Sequence, residues 1–128
     1  MNKFKSTDPL PICDEQHEHQ DIEAIKKTLP EDDRFIEASD LFSLLSDSTR
    51  LKILWLLCHN EACVCDIASA IDMSSPAVSH HLRSLKQLGI ITFRRIGKEV
   101  HYTLSDSPAG HLAHKMIDTI LETEGDQA

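Results

Sequence analysis

Two cysteines separated by one residue, Cys63-Val64-Cys65, stand directly after Glu61-Ala62 and directly before Asp66. Closely spaced thiolates are ligands for soft metals, and a neighbouring carboxylate adds an oxygen donor. On a regular helix, Cys63 and Asp66 share a face, whereas Cys63 and Cys65 are about 200° apart and do not point at one ion. Cys63 with Asp66 is therefore the pair that a regular helix supports. Cys65 joins them if the first turn is irregular, where the positive helix end favours both thiolates.

Two protein ligands rarely hold a soft metal tightly, and further donors stand near the N-terminus in Cys13-Asp14-Glu15-Gln16-His17-Glu18-His19. Cys13 and His17 are four apart, a spacing suited to a helical turn or to a loop that folds on binding. A mixed sulfur, nitrogen and oxygen set suits Zn2+, Cd2+ or Pb2+. The plainer alternatives are a solvated tail with the box cysteines packed in a core, or a structural zinc. Cys58, beside the apolar run from Leu54 to Leu57, reads as core packing. His111, His114 and Asp118 have the spacing for a second site, but a surface or interface role is the simpler reading.

A second constellation concerns nucleic acid. Ser74-Ser75-Pro76-Ala77-Val78-Ser79-His80-His81-Leu82-Arg83 opens a helix whose exposed start offers Ser75, Ser79 and His80, with Arg83 one turn further on. Hydroxyls and imidazole can read base edges or hold phosphates, and helix N-terminal amides attract phosphate. Val78, Leu82 and Leu85 are left to face the core. Downstream, Arg94, Arg95 and Lys98 fall on a hairpin and suit the DNA backbone.

The elements that carry these residues follow from apolar spacing and punctuation. Residues 1–20 show almost no periodicity and read as a mobile arm, residues 21–124 as one folded domain, and residues 125–128 as a tail. A short amphipathic segment spans Ile22 to Leu29 and ends at Pro30. A helix from about Asp33 to Ser46 carries Phe35, Ile36, Leu41, Phe42, Leu44 and Leu45, too many apolar positions for one narrow stripe, which points to a core on one side and a partner subunit on the other. Asp47 or Ser48 caps a second helix that ends near His59-Asn60, and a third runs from Cys63 to Ile71. A turn at Asp72–Pro76 leads into a fourth helix to Leu88, and Gly89 is its left-handed stop. The alternating run Ile90–Ile96, the turn Gly97-Lys98 and the run Glu99–Leu104 form a two-stranded hairpin with a basic tip. After Asp106-Ser107-Pro108 a last helix reaches about Glu124. The fold class is mainly α with a small β-hairpin: a dimeric winged helix-turn-helix.

A length of 128 residues allows one core, and the scarcity of aromatics leaves that core to Leu, Ile, Val and Ala. A net charge of −8 argues against nucleic acid only if it is evenly spread, and it is not. Residues 1–47 carry five bases against twelve acids, while residues 73–103 carry five bases against Glu99 alone. Local charge is what meets phosphate. No run approaches the roughly 18 apolar residues of a membrane span, and the N-terminus lacks a signal-peptide core, so the expected location is cytoplasmic, without a membrane partner. In that reducing compartment cysteines serve as thiols or ligands, not as a disulfide framework.

From Phe35 to Glu122 the chain resembles the ArsR/SmtB family of metal-sensing winged-helix repressors. Glu61-Ala62-Cys63-Val64-Cys65-Asp66 resembles the family's metal box, Ser79-His80-His81-Leu82-Arg83 its recognition helix, and Asp47-Ser48-Thr49-Arg50 the box opening its second helix. The resemblance implies a homodimer, joined through the first and last helices, that represses metal efflux or sequestration genes until metal weakens its hold on double-stranded operator DNA. In the branch sensing zinc, cadmium or lead, an N-terminal Cys and His of one protomer join the other's box. The positions carried over are Cys13, His17, Cys63 and Asp66, with Cys65 as in members having two cysteines there. At the family's other common site this chain has Asp106, Pro108, Thr119 and Glu122, so two imidazoles are missing and no working site is implied. Three rivals differ in class. An enzyme with Cys63 as nucleophile lacks an acid-base partner and leaves the basic hairpin unexplained. A metal buffer predicts no DNA binding. An arsenite- or redox-sensing repressor would use Cys63, Cys65 and Cys13 as a trio.

Overall fold

The computed structural model describes residue 7, residues 9–12 and residues 20–121. Cys13, His17, His19 and Glu122, and the ends of the arm and of the last helix, lie outside the described residues. The chain divides into two units, Met1–Glu31 and Asp32–Ala128. In the first, α1 (Ile22–Thr28) is capped by Asp21, whose carboxylate accepts from the Ala24 amide at 3.3 Å, and none of its residues is buried.

The second unit opens with α2 (Asp32–Leu45) and α3 (Ser48–His59). Asp47 caps α3: its Oδ2 accepts from the Arg50 amide at 2.9 Å. Arg50 in turn donates from Nε to the Leu44 carbonyl at 2.7 Å, which fastens the end of α2 to the start of α3. There follow β1 (Ala62–Cys63), α4 (Val64–Ile71), α5 (Ser75–Gln87), β2 (Ile91–Ile96), β3 (Glu99–Leu104) and α6 (Pro108–Leu121). Mostly helical and closed by a small antiparallel sheet, this is the winged helix-turn-helix expected from the sequence. α4 ends on left-handed Asp72 (φ 56°), and the Met73 amide reaches back to the Ala68 carbonyl at 3.0 Å, so the chain turns sharply. Ser74 then caps α5, accepting from the Ala77 amide at 3.3 Å, with Pro76 in the first turn. Gly89 (φ 74°) stops α5 and Gly97 (φ 63°) turns the hairpin.

Two expectations are corrected. Cys63 is not helical: its backbone is extended (φ −84°, ψ 167°) and it stands as the cap before α4. The sheet has three strands, in the order β1-β3-β2, and not two. The physical reason is the same for both. Ala62 pairs with Tyr102 and Cys63 with His101, so backbone groups that a helical first turn would leave orphaned are used in a ladder. A strand of two residues is too short to show the alternation by which strands are read from sequence.

The core draws one face from each of α3, α4, α5 and α6: Ile53, Leu54, Ile67, Val78, Leu82, Leu85 and Ile117, with Ile90 between α5 and β2, are all under 2% exposed. Full burial of such a side chain contributes about 1.5–3 kcal/mol. Ile90 belongs here, one residue before the strand it was expected to start. α6 is docked through its first turn. The hydroxyls of Ser105 and Ser107 both donate to the Gly89 carbonyl, and the Gly110 amide donates to Ser107 Oγ at 3.0 Å. A Cβ on Gly110 would stand 2.0 Å from the Ser105 carbonyl oxygen.

Gly110→Ala is therefore expected to destabilise the fold by at least the 1–3 kcal/mol or so typical of overpacking, lowering the thermal midpoint by several degrees. An unchanged melting curve would mean that α6 does not sit so close. The Asp47 carboxylate is held below its ordinary pKa of 3.8, first by the hydrogen bond from the Arg50 amide and also by the nearby Arg50 charge. A carboxyl lowered by folding stabilises above its unfolded pKa, and that contribution fades as pH falls through the folded one. Asp47→Ala should lose about 1 kcal/mol at pH 7 and less of the wild-type difference at pH 3, as read by denaturant melts.

Candidate functional site

The two constellations lie on consecutive elements. Along α5, Val78, Leu82 and Leu85 are buried, which turns Ser75, His80 and Arg83 outward to an exposed face, with Ser79 half-buried beside them. His81, next to His80, is not on that face: it is half-buried, with Nδ1 3.5 Å from Arg50 Nη1. In the hairpin Arg95 and Lys98 are exposed. Lys86 crosses from α5 to lie 4.9 Å from the Phe93 ring centre, and Phe93 packs against Tyr102, so the hairpin root is braced against α5.

Arg94 is differently placed. Its Nε and Nη2 donate to the two carboxylate oxygens of Glu61 at 2.7 and 2.6 Å, a bidentate pair. The hydrogen bond and the Arg94 charge hold the Glu61 carboxyl below its ordinary range and raise Arg94 further. The guanidinium expected at the DNA backbone is thus engaged by a carboxylate next to the thiol box.

At the box itself, Cys63 is 8% exposed and Cys65 is exposed. Both line one open depression of about 250 Å³ together with Val64, Lys98, Glu99 and Val100. The irregular start of α4 is what brings them there: an extended cap followed by helix does not impose the angle that would part them on a continuous helix. Asp66, exposed in the first turn of α4, lines a different depression with Leu56, Asn60, Glu61, Ala62, Ile67 and Ala70. The geometry therefore joins Cys63 to Cys65 more directly than to Asp66. Among the described residues no three His, Cys, Asp or Glu side chains are grouped to hold a metal. Two cysteines lining one opening at the positive end of a helix are residue types that suit a soft cation.

On the last helix, His111 Nε2 is 2.7 Å from Asp106 Oδ1 and His114 Nε2 is 3.6 Å from Asp118 Oδ2. These are two separate pairs. Cys58 is half-buried against the core. Sequence reasoning missed Glu61 as the partner of Arg94 and His101 as the residue facing Cys63. Both depend on the β1 register, and an acid just before the box was the one signal available.

Residues 47–92 match the model of the bacterial regulatory protein arsR family. The chain is 34% identical over 118 residues to a transcriptional repressor SmtB homolog of Synechocystis, covering 90% of this chain and 88% of the relative. It is 40% identical over 106 residues to a cadmium resistance transcriptional regulatory protein CadC homolog of Staphylococcus aureus, covering 81% and 87%. To the arsenical resistance operon repressor of Escherichia coli it is 45% identical over 86 residues, covering 66% and 72%. Among solved structures, the homodimeric winged helix-turn-helix DNA-binding domain Mb0332 of Mycobacterium bovis, a possible ArsR-family regulator, aligns with a TM-score of 0.61 at 26% identity, covering 74% of this chain and 92% of that one.

Proposed function

This chain belongs to the ArsR/SmtB family of bacterial regulatory proteins, transcriptional regulators and not enzymes, and on that premise we propose that it is a homodimeric repressor released from operator DNA by zinc, cadmium or lead. The observation that carries the metal half is the opening shared by Cys63 and Cys65 beside the turn of the wing. Cys13 and His17 are the proposed remaining donors, and Asp66 the proposed oxygen donor. The DNA half is supported by the outward face of α5. Ser75, Ser79, His80 and Arg83 enter the major groove, Arg95 and Lys98 hold the backbone, and Arg94 joins them when it leaves Glu61.

Dimerisation is supported by apolar side chains that no described contact covers. Phe35, Ile36 and Phe42 on α2 are 50%, 58% and 61% exposed, and Ile120 and Leu121 on α6 are 71% and 52% exposed. Contiguous exposed apolar surface on a folded protein marks an interaction face. Among the described residues no helix is long and apolar enough to cross a membrane, and the proposed location is the cytoplasm, where operators are.

Release follows from differential affinity: a ligand that binds the weakly DNA-binding state better draws the dimer toward it, typically by 5- to 150-fold in affinity. A second reading, arsenite sensing by a thiol trio of Cys63, Cys65 and Cys13, is favoured by the same shared opening and by the arsenical repressor among the relatives.

The test is fluorescence anisotropy on a duplex selected from random DNA by the metal-free protein, titrated with zinc, cadmium, lead and arsenite. Cadmium, zinc or lead should weaken wild-type binding about tenfold or more, within the usual coupling range. Cys63→Ser should abolish the response, and Cys13→Ser should weaken it. Metal-independent DNA affinity would sink the sensor reading, and a response to arsenite alone would favour the second. On the same duplex, Arg95→Ala and Lys98→Ala should each flatten the dependence of log affinity on log salt by about 0.9 while leaving sequence preference intact. His80→Ala should instead relax the preference at one base pair.

A further inference from the structure

The bidentate pair between Glu61 and Arg94 spans the whole sheet. β1 and β2 are its outer strands, with β3 between them. Cys63 faces His101 across one ladder and Arg94 faces His101 across the other, so Cys63, His101 and Arg94 stand in one row. Glu61 lies two residues before Cys63, and its carboxylate takes both Nε and Nη2 of Arg94 at 2.7 and 2.6 Å. A fork of this kind fixes direction as well as distance. The backbone ladder of β1 is two residue pairs long, Ala62 with Tyr102 and Cys63 with His101. The fork therefore adds a side-chain tie from the strand that carries the thiol to the far strand of the wing.

Stability does not account for the pair. The Arg94 and Glu61 side chains are 66% and 28% exposed, and ion pairs so open to water add little to folding free energy. What the pair does supply is geometry. A shift of the extended backbone at Cys63 moves Glu61, and with it the guanidinium on β2. The tie also decides which partner Arg94 has, because a guanidinium engaged by a carboxylate is not offered to phosphate.

We propose that Glu61 is a positioning residue for the wing, and that its pairing with Arg94 is the physical link by which ligation at Cys63 reaches the DNA-contacting hairpin. This rests on the metal-sensor reading above. Neither residue need touch the metal.

The test uses the full chain and the selected duplex, with cadmium as probe. Two quantities are read for each protein: the ratio of operator affinities without and with cadmium, and cadmium affinity from the thiolate-to-metal absorption band. Glu61→Gln should shrink the ratio about fivefold or more, a loss on the scale of a whole allosteric coupling, with cadmium affinity unchanged. In an Arg94→Gln background, where the partner is already gone, Glu61→Gln should change the ratio no further, which a merely local role for Glu61 would not predict. A full ratio in Glu61→Gln overturns the link. So does a parallel loss of cadmium affinity, which would make Glu61 part of the ligand site, and so does a further loss of the ratio from Glu61→Gln in the Arg94→Gln background. Absence of any cadmium effect in the wild type removes the sensor reading and the link together. A normal wild-type ratio with no change in the variants removes the link alone.

Discussion

Two antiparallel residue pairs, Ala62 with Tyr102 and Cys63 with His101, hold the segment before α4 against the central strand of the sheet. That short ladder makes Cys63 extended and not helical, and α4 begins one residue later than the apolar pattern implies. With Cys63 at the cap, both cysteines line one depression whose other wall is the hairpin turn, Lys98 to Val100. Asp66 rotates toward Leu56 and Asn60. The direction of α4 also fixes α5, because left-handed Asp72 and the Ser74 cap leave the turn between them little freedom. The chemistry of the box and the presentation of the recognition helix are thus consequences of one strand pairing.

Most of the architecture was legible because local signals agreed with one another. Ser74 and Pro76 started a helix, Gly89 ended it, and the spacing of Val78, Leu82 and Leu85 named its inner face. Helices at 3.6-residue spacing and hairpins with glycine turns announce themselves over windows of ten residues or more. β1 did not, since two residues carry no period, and every inference that depended on its register was lost with it. The pairing of Cys63 with Asp66 rests on a regular helix, and the extended backbone at Cys63 meets instead the irregular start on which Cys65 was conditional. Arg94 was read as a DNA contact from its charge and its place in the hairpin; that a glutamate 33 residues earlier lies opposite it is a fact of tertiary pairing. Cys13 and His17, the further donors expected from the sequence, lie outside the described residues.

Charge shows the same division between local and long-range information. An overall balance of −8 is compatible with a phosphate-facing surface because the acids are concentrated before residue 48 and the bases between residues 73 and 103. In the folded chain the basic segment is not uniformly available. Arg83, Arg95 and Lys98 are exposed, whereas Arg94 shares its charge with Glu61 and Lys86 lies over Phe93. Counting cations along the sequence therefore overstates the field that a DNA backbone would meet in this conformation.

β2 also ends the sheet. Its outer side presents unpaired N–H and C=O groups, the arrangement that lets one protein molecule add its strand to another and seed aggregates. Arg95 on that strand, with Lys98 at its turn, gives the edge exposed like charge of the kind that disfavours pairing with a second copy in the same register. The side chains suited to phosphate thereby act as gatekeepers of solubility. If this strand holds DNA as proposed, neutralising it would weaken that hold and remove its protection against self-association together.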